Sequence, residues 1–412
     1  MTMKNKTDIT STMTPIDSKN RLHHIDSLRG LALLGILLVN MFAFQYGLIG
    51  YTYILPELNT VDRTTYLVIE WLLQGSFYPI FAILFGFGAA IMWERAEEKG
   101  RPFKRVFARR LILLILLGWL HLHFIWAGDI LLTYGGTALL LFFFYNRKKK
   151  TLLVWIIALT IFISLTGFMS DGEGDKYFTF KPFADYEAEV LAEGSYSDIV
   201  EHRFTNSPFE KMKMPPGIDP LKQEFIIGFT AFFSYAIMVI QTFILFLIGL
   251  LITKSRWLHE LDRNQHSFKK VATIAITAGL IVKAGNVFTN SGILEYFGYF
   301  IGGPIAAIGY IALFALLYSK LQQYLLFNGF GYVGRMALTN YLMQSVVMTT
   351  IFYGYGLGLF GQLGTLIAIL LAMVLFVLQI IFSRFWLERY KFGPVEWLWR
   401  TGTYWKKQSI KK

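Results

Sequence analysis

"RRLILLILLGWLHLHFIWAGDILLTYG", residues 109–135, decides how this chain is read. Two arginines are followed by a run of leucine and isoleucine. At ~1.5 Å per helical residue, about 18 such residues nearly cross a ~30 Å hydrocarbon layer. The run is not uniform, because His121, His123 and Asp129 interrupt it. Groups of that kind are costly in hydrocarbon and normally face a cavity or one another. The stretch therefore predicts both a membrane helix and something polar for it to serve.

The rest of the 412 residues agrees: 55% are hydrophobic, 17% are aromatic, and the mean hydropathy is +0.48. The fold class read from this is all-α, a polytopic transmembrane helical bundle of about ten spans. The apolar runs are 28–46, 66–93, 109–127, 130–146, 151–169, 225–253, 271–289, 297–319, 334–353 and 363–383. The formal net charge of +12 follows from where the lysines and arginines sit. Basic groups lie around Arg21 and Arg29, in "ERAEEKGRPFKRVFARR", "RKKK" and "KSRWLHELDRNQHSFKK", at Lys320 and Arg335, and in the tail after 383. A ten-span topology puts all of them on one side, which the positive-inside rule makes the cytoplasm, with both termini there. Basic residues scattered over inner loops argue against a nucleic-acid partner.

The opposite side is expected to carry one larger loop. Residues 171–222 hold 11 acidic and 6 basic side chains, a net of −5, and are too polar to span. "DYEAEVLAEGSYSDIVEHRF" has helical spacing, so a small, partly helical cap is expected. The organisation predicted is a polar tail over 1–20, five spans over 21–169, the cap over 170–224, five spans over 225–384 and a basic aromatic tail over 385–412. The first apolar run has no small-residue cleavage site and reads as a retained helix. Trp386, Trp397, Trp399 and Trp405 read as an interfacial belt. "LFGFG" at 84–88 offers small residues for close helix contact.

Candidate functional residues follow from depth. His121 lies eleven residues past Arg110, roughly 16 Å along a helix, near the bilayer middle. His123 is turned about 200° from it, so the two cannot address one small site in a regular helix. Gly128 and Asp129 form the turn into the next span, where Asp129 is placed to cap a helix and, if the turn folds back, to orient a histidine. At related depths lie Asn40, Glu70, Gln74, Lys283, Asn286, Asn340 and Gln344. The expectation is one shared polar chamber, with Glu70 and Lys283 able to pair; interhelical hydrogen bonding is the plainer alternative. Arg29 and Arg335 stand at the inner face, where an arginine fork matches phosphate oxygens. Cysteine is absent, and no histidine–acid spacing suits zinc, so no metal site is expected.

"RLHHIDSLRGLALLGILLVN" resembles the opening of the YeiB family of bacterial membrane proteins of unknown function. "FYPIFAILFGFG", "AGDILLTYG", "GRMALTNYLMQS" and "GPVEWLWR" look like further hallmarks of that family, so the resemblance runs from about Arg21 to Trp405. The first block is also similar to the start of the heparan-α-glucosaminide N-acetyltransferase family. Arg21, Asp26, Arg29, Gly30 and Asn40 stand in place in its pattern. That resemblance implies an acyl group taken from cytoplasmic acyl-CoA and delivered across the membrane. The key histidine of those enzymes sits just after the first span. Here that stretch is "MFAFQYGLIGYTYILPELNT", with no histidine, so His121 or His123 is the natural substitute.

Two function classes result. In the first, an acyltransferase, a histidine accepts a proton or carries the acyl group, Asp129 orients it, and Arg29 and Arg335 hold the phosphates of an acyl-CoA donor. In the second, a permease, the same polar groups bind a small solute, and the Gly- and Pro-containing stretches "SFYPIFAILFGFG" (76–88) and "YFIGGPIAAIGY" (299–310) would let helices break or flex. Membrane lipids and a small-molecule substrate are the partners expected in a bacterial cell membrane; assembly with further copies stays open.

Overall fold

The computed structural model describes residues 22–168, 179–214, 217–289 and 291–412, so Arg21 and the side chain of Asn286 lie outside the described residues. These residues are helical apart from their loops and two isolated β-bridges. The helices are α1 (His23–Tyr46), α2 (Thr60–Leu72), α3 (Phe77–Glu98), α4 (Phe103–Phe124), α5 (Leu131–Thr137), α6 (Lys149–Gly167), α7 (Lys181–Glu193) and α8 (Tyr196–Thr205). They continue with α9 (Pro220–Lys254), α10 (Gln265–Phe288), α11 (Gly292–Phe297), α12 (Gly303–Leu321), α13 (Leu325–Arg335), α14 (Ala337–Phe352), α15 (Thr365–Arg389) and α16 (Pro394–Tyr404). Their starts follow ordinary capping chemistry. Proline occupies the first turn of α9, α12 and α16, where no backbone donor is lost. Asp219 accepts from the Leu221 amide at 3.0 Å to begin α9.

The chain is an all-α, polytopic helical membrane protein. Among the described residues, seven stretches are long and apolar enough to cross a membrane: His23–Tyr46, Thr60–Glu98, Phe103–Phe124, Lys149–Gly167, Pro220–Lys254, Gly292–Leu321 and Thr365–Arg389. The other three apolar runs of the sequence also lie on helix, but in shorter or more polar form. Run 130–146 becomes α5 and a 3-10 turn over Ala138–Phe143. Run 271–289 is α10, which carries Lys283. Run 334–353 is split at Met336, leaving 16 residues in α14.

Two of the long stretches are broken. Thr60–Glu98 stops at Leu72 and restarts at Phe77, through Gly75 at φ 69°. Gly292–Leu321 passes through a π turn at Gly298–Gly302. Periodicity cannot show either break, because apolar residues continue across both.

Packing crosses the midpoint of the sequence. α1 lies against α13, and α3 against α9, within one continuous apolar core. The small residues of "LFGFG" take part as expected: a Cβ on Gly86 would overlap the Phe246 carbonyl on α9. The basic loops gather at one end of the bundle. At the other end α7 and α8 form the cap. Tyr196 of α8 donates its hydroxyl to the Phe124 carbonyl at 2.9 Å, so the cap sits over the end of α4.

Candidate functional site: a buried His–Asp pair behind an arginine-lined cavity

α4 ends at Phe124, and the chain turns sharply through Trp126–Ile130 before α5 runs back alongside it. That reversal brings Asp129 to His121. Nδ1 of His121 donates to Oδ2 of Asp129 at 2.7 Å, with both side chains almost fully buried, at 1% and 0% exposure. Asp129 is fixed in turn, because Oδ1 accepts from the Leu132 amide at 2.7 Å at the start of α5. With Nδ1 occupied, the free lone pair of the neutral ring is on Nε2, which is buried and has no hydrogen-bond partner. The α4–α5 contact needs Gly118. A Cβ there would overlap the Leu132 backbone and lie 2.8 Å from Asp129 Oδ1.

His123 goes elsewhere, as its rotation predicts. Its Nδ1 donates to the Trp119 carbonyl at 2.9 Å, and its ring stacks on Phe204 of the cap at 4.3 Å. Arg203 of α8 donates to the His123 carbonyl at 3.3 Å. His123 thus holds the cap to α4 and stands apart from the pair.

At the basic end a cavity of about 160 Å³ opens between α1, α3, α4, α13, α14 and α16. Its outer rim carries Arg29, Arg110, Arg335 and Arg400, with Trp399 and Glu396. Arg29 and Arg335 are the two expected there. They are brought together where α1 crosses α13, and a Cβ on Gly334 would overlap the Asp26 carbonyl, so the helices touch backbone to backbone. Arg29 also bonds Asp26 at 3.1 Å. Inward from the rim the walls are apolar, with Leu33, Ile36, Leu84, Phe85 and Leu114. The inner end is Ile130, Leu131, Tyr134 and Tyr341. Arg335 ends α13, and Tyr341 follows in α14 past the break at Met336.

Tyr341 divides this cavity from the pair. Its ring centroid is 5.1 Å from that of His121, and its hydroxyl donates to the Gly128 carbonyl at 3.3 Å. The turn that carries Asp129 therefore holds Tyr341 as well.

The sequence reading missed five residues here. Arg110 looks like an ordinary flanking charge, and Arg400 and Trp399 like part of an interfacial tail. Trp399 instead donates its indole N–H to the Arg110 carbonyl at 3.0 Å and lies 4.0 Å beneath that guanidinium. The belt reading of the tail is corrected at this tryptophan, because α16 packs against α4 and forms a cavity wall. The fourth is Glu396, whose Oε1 accepts from the amides of Leu338 at 2.7 Å and Thr339 at 3.0 Å. It caps α14 from another helix. Burial pushes this carboxyl up from its ordinary value, against the opposing pull of the Thr339 hydroxyl and amide. In a chain with 22 tyrosines, Tyr341 gave no sequence signal of its own.

The single polar chamber expected from the sequence is not what forms. The groups meant to share it fall into two sets: Asn340 and Gln344 bond to α15, while Gln74 and Lys283 bond to Tyr51 and Ser76 near Glu70. Asn340 donates to Ser383 at 2.9 Å, Gln344 to Gln379 at 2.9 Å, and Gln379 to the Asn340 carbonyl at 2.9 Å, which ties α14 to α15. Gln74 donates to the Tyr51 hydroxyl at 3.1 Å. Lys283, 1% exposed, donates to Ser76 at 3.2 Å, and the charge of Glu70 bears on it. Asn40 is half-buried on α1. None of these lines the arginine-rimmed cavity.

The fold and site define a class: a polytopic helical membrane protein with a buried histidine–carboxylate pair behind an arginine-rimmed cavity. Residues 252–406 match the family described as "Protein of unknown function (DUF418)". The chain is 33% identical to the "Uncharacterized protein YxaH" of Bacillus subtilis (strain 168) over 413 residues, 98% of this chain and 99% of that one. It is 28% identical to the "Uncharacterized protein YeiB" of Escherichia coli (strain K12) over 91% of this chain and 94% of that one. A Bacillus acidopullulyticus relative, the "Uncharacterized 39.9 kDa protein in amylase 3'region", is 29% identical over 97% and 98%. The chain belongs to this family of uncharacterised YeiB-like proteins.

Proposed function

We propose that this protein is a membrane acyltransferase of the bacterial cell membrane, with its basic end in the cytoplasm. There it draws on acyl-CoA and passes the acyl group to an acceptor from the membrane or the far side. The observation that carries the reading is the continuity of one cavity from four guanidinium groups to the wall of the His121–Asp129 pair. Guanidinium forks suit the phosphates of the donor, apolar walls suit its uncharged arm, and the thioester would then lie near an imidazole whose Nε2 is bare. Asp129 fixes the tautomer and steadies the imidazolium that forms, the part an orienting carboxylate plays beside a general base.

The test is binding of CoA to the purified full-length chain, set beside pantetheine, which has the arm and no phosphate. CoA should bind at least tenfold more tightly than pantetheine. Arg335→Gln should lose about 10- to 100-fold for CoA and leave pantetheine unchanged, since one charge-assisted contact contributes ~1.5–3 kcal/mol. Equal affinity for the two ligands, or none for CoA, contradicts the reading.

One observation favours a permease instead. The breaks in Thr60–Glu98 and Gly292–Leu321 meet beside Lys283: a Cβ on Gly303 would overlap the Gly75 carbonyl, and the Tyr310 hydroxyl donates to the Leu72 carbonyl at 2.8 Å. Crossed discontinuous helices are how many transporters build a solute site. This junction is separate from the arginine-rimmed cavity, so failure of CoA binding would turn attention to it.

A further inference from the structure

We infer that Tyr341 is a catalytic residue whose hydroxyl donates a hydrogen bond to the acyl carbonyl oxygen as that oxygen gains charge. The inference rests on the acyl-transfer reading above. When an acceptor attacks a thioester, the carbonyl oxygen becomes anionic and requires a donor, because no water competes in an apolar pocket. Two tyrosines, each with a hydroxyl, line the inner end of the cavity. That of Tyr134 donates to the Tyr78 carbonyl at 2.9 Å and is engaged. That of Tyr341 makes a longer contact, 3.3 Å, to the Gly128 carbonyl, which a developing oxyanion outcompetes. Tyr341 is also the residue through which the cavity meets the pair, its ring lying against that of His121.

The step balances with these groups alone. Nε2 of His121 takes the proton of the acceptor, the acceptor oxygen or nitrogen bonds to the carbonyl carbon, and the carbon–sulfur bond breaks. The departing thiolate receives the same proton from Nε2. Tyr341 keeps its own proton throughout. With water as acceptor the products are free CoA and acetic acid, which loses its proton to solvent as acetate.

The experiment measures release of CoA thiol from acetyl-CoA by the solubilised full-length chain. Tyr341→Phe keeps the ring packed on His121 and removes only the donor. It should lower kcat ~10²–10³-fold, the usual loss for one oxyanion donor, with KM within twofold. Placing 2,3-difluorotyrosine at 341 restores a hydroxyl of lower pKa. It should recover turnover and move the alkaline limb of the pH profile to lower pH, which a packing role would not do. Unchanged kcat in Tyr341→Phe, or a change confined to KM, with His121→Ala still inactive, overturns the inference alone. Absence of turnover in the wild-type chain overturns this inference and the acyl-transfer reading together.

Discussion

At the scale of single residues the site hangs on Gly118. One methyl group there would push Leu132 and Asp129 away from α4 and leave His121 without its orienting carboxylate. Gly118→Ala is therefore expected to cost ~1–3 kcal/mol, as overpacking does, and to reduce His121-dependent turnover far more than Gly135→Ala. Gly135 lies on the same α4–α5 contact, where a Cβ meets Ile115, its Cγ1 at 2.6 Å and its backbone nitrogen at 3.1 Å, and no part of the pair. Thermal unfolding in detergent and thiol release measure the two effects. Equal turnover in both variants would show that the contact does not position Asp129. His121 and Asp129 were legible as polar residues inside an apolar run, and their divergence from His123 followed from rotation. Arg110, Arg400 and Tyr341 were not, because an arginine at a helix end and a tyrosine in an aromatic-rich chain each have an ordinary structural use.

At the scale of elements, the cap is held by a contact that responds to pH. Glu187 of α7 is buried and accepts from the Leu48 amide at 3.2 Å. Burial pushes its carboxyl from the usual 4.5 up to about 7, against the amides of Leu48 and Ile49 and the Arg203 charge. The docked cap thus holds a proton that an undocked Glu187 releases, so docking is strongest below pH 4.5 and weakens as pH rises to about 7. His202 of α8 pulls the other way. Burial, with Lys211 and Arg203 nearby, lowers its pKa, so its contribution to docking is lost as pH falls through its ordinary 6.5. Hydrogen exchange at the Leu48 amide and along α7, corrected for intrinsic rate, should be faster at pH 8 than at pH 5. Glu187→Gln should flatten that dependence and expose the opposite slope of His202. A wild-type dependence that Glu187→Gln leaves intact would place the control elsewhere. The helical cap was legible from its spacing. So was the capacity of the Gly- and Pro-containing stretches 76–88 and 299–310 to interrupt a helix, whereas the split at Met336 was not, because tertiary contacts fix it within continuous apolar sequence. The cap that Glu396 makes on α14 joins residues far apart in the chain, which no local signal marks.

For the molecule as a whole, composition and charge placement carried the helical membrane class. They could not show that α1 packs against α13, with Ser27 donating to the Phe327 carbonyl at 3.0 Å across 300 residues of sequence. That contact sets Arg29 beside Arg335 and makes a cavity from residues at both ends of the chain. If the cavity mouth faces the cytoplasm, as proposed, the His121–Asp129 pair lies deeper in the membrane. The most direct measurement is release of CoA from acetyl-CoA added to sealed vesicles of each orientation. Everted vesicles, with the cytoplasmic face outward, should turn over the thioester. Right-side-out vesicles should not. His121→Ala should lower the everted rate ~10²-fold or more, the ordinary loss for a general base, and His123→Ala should leave it within a few-fold. Equal rates in the two orientations, or a rate indifferent to His121, would contradict the account.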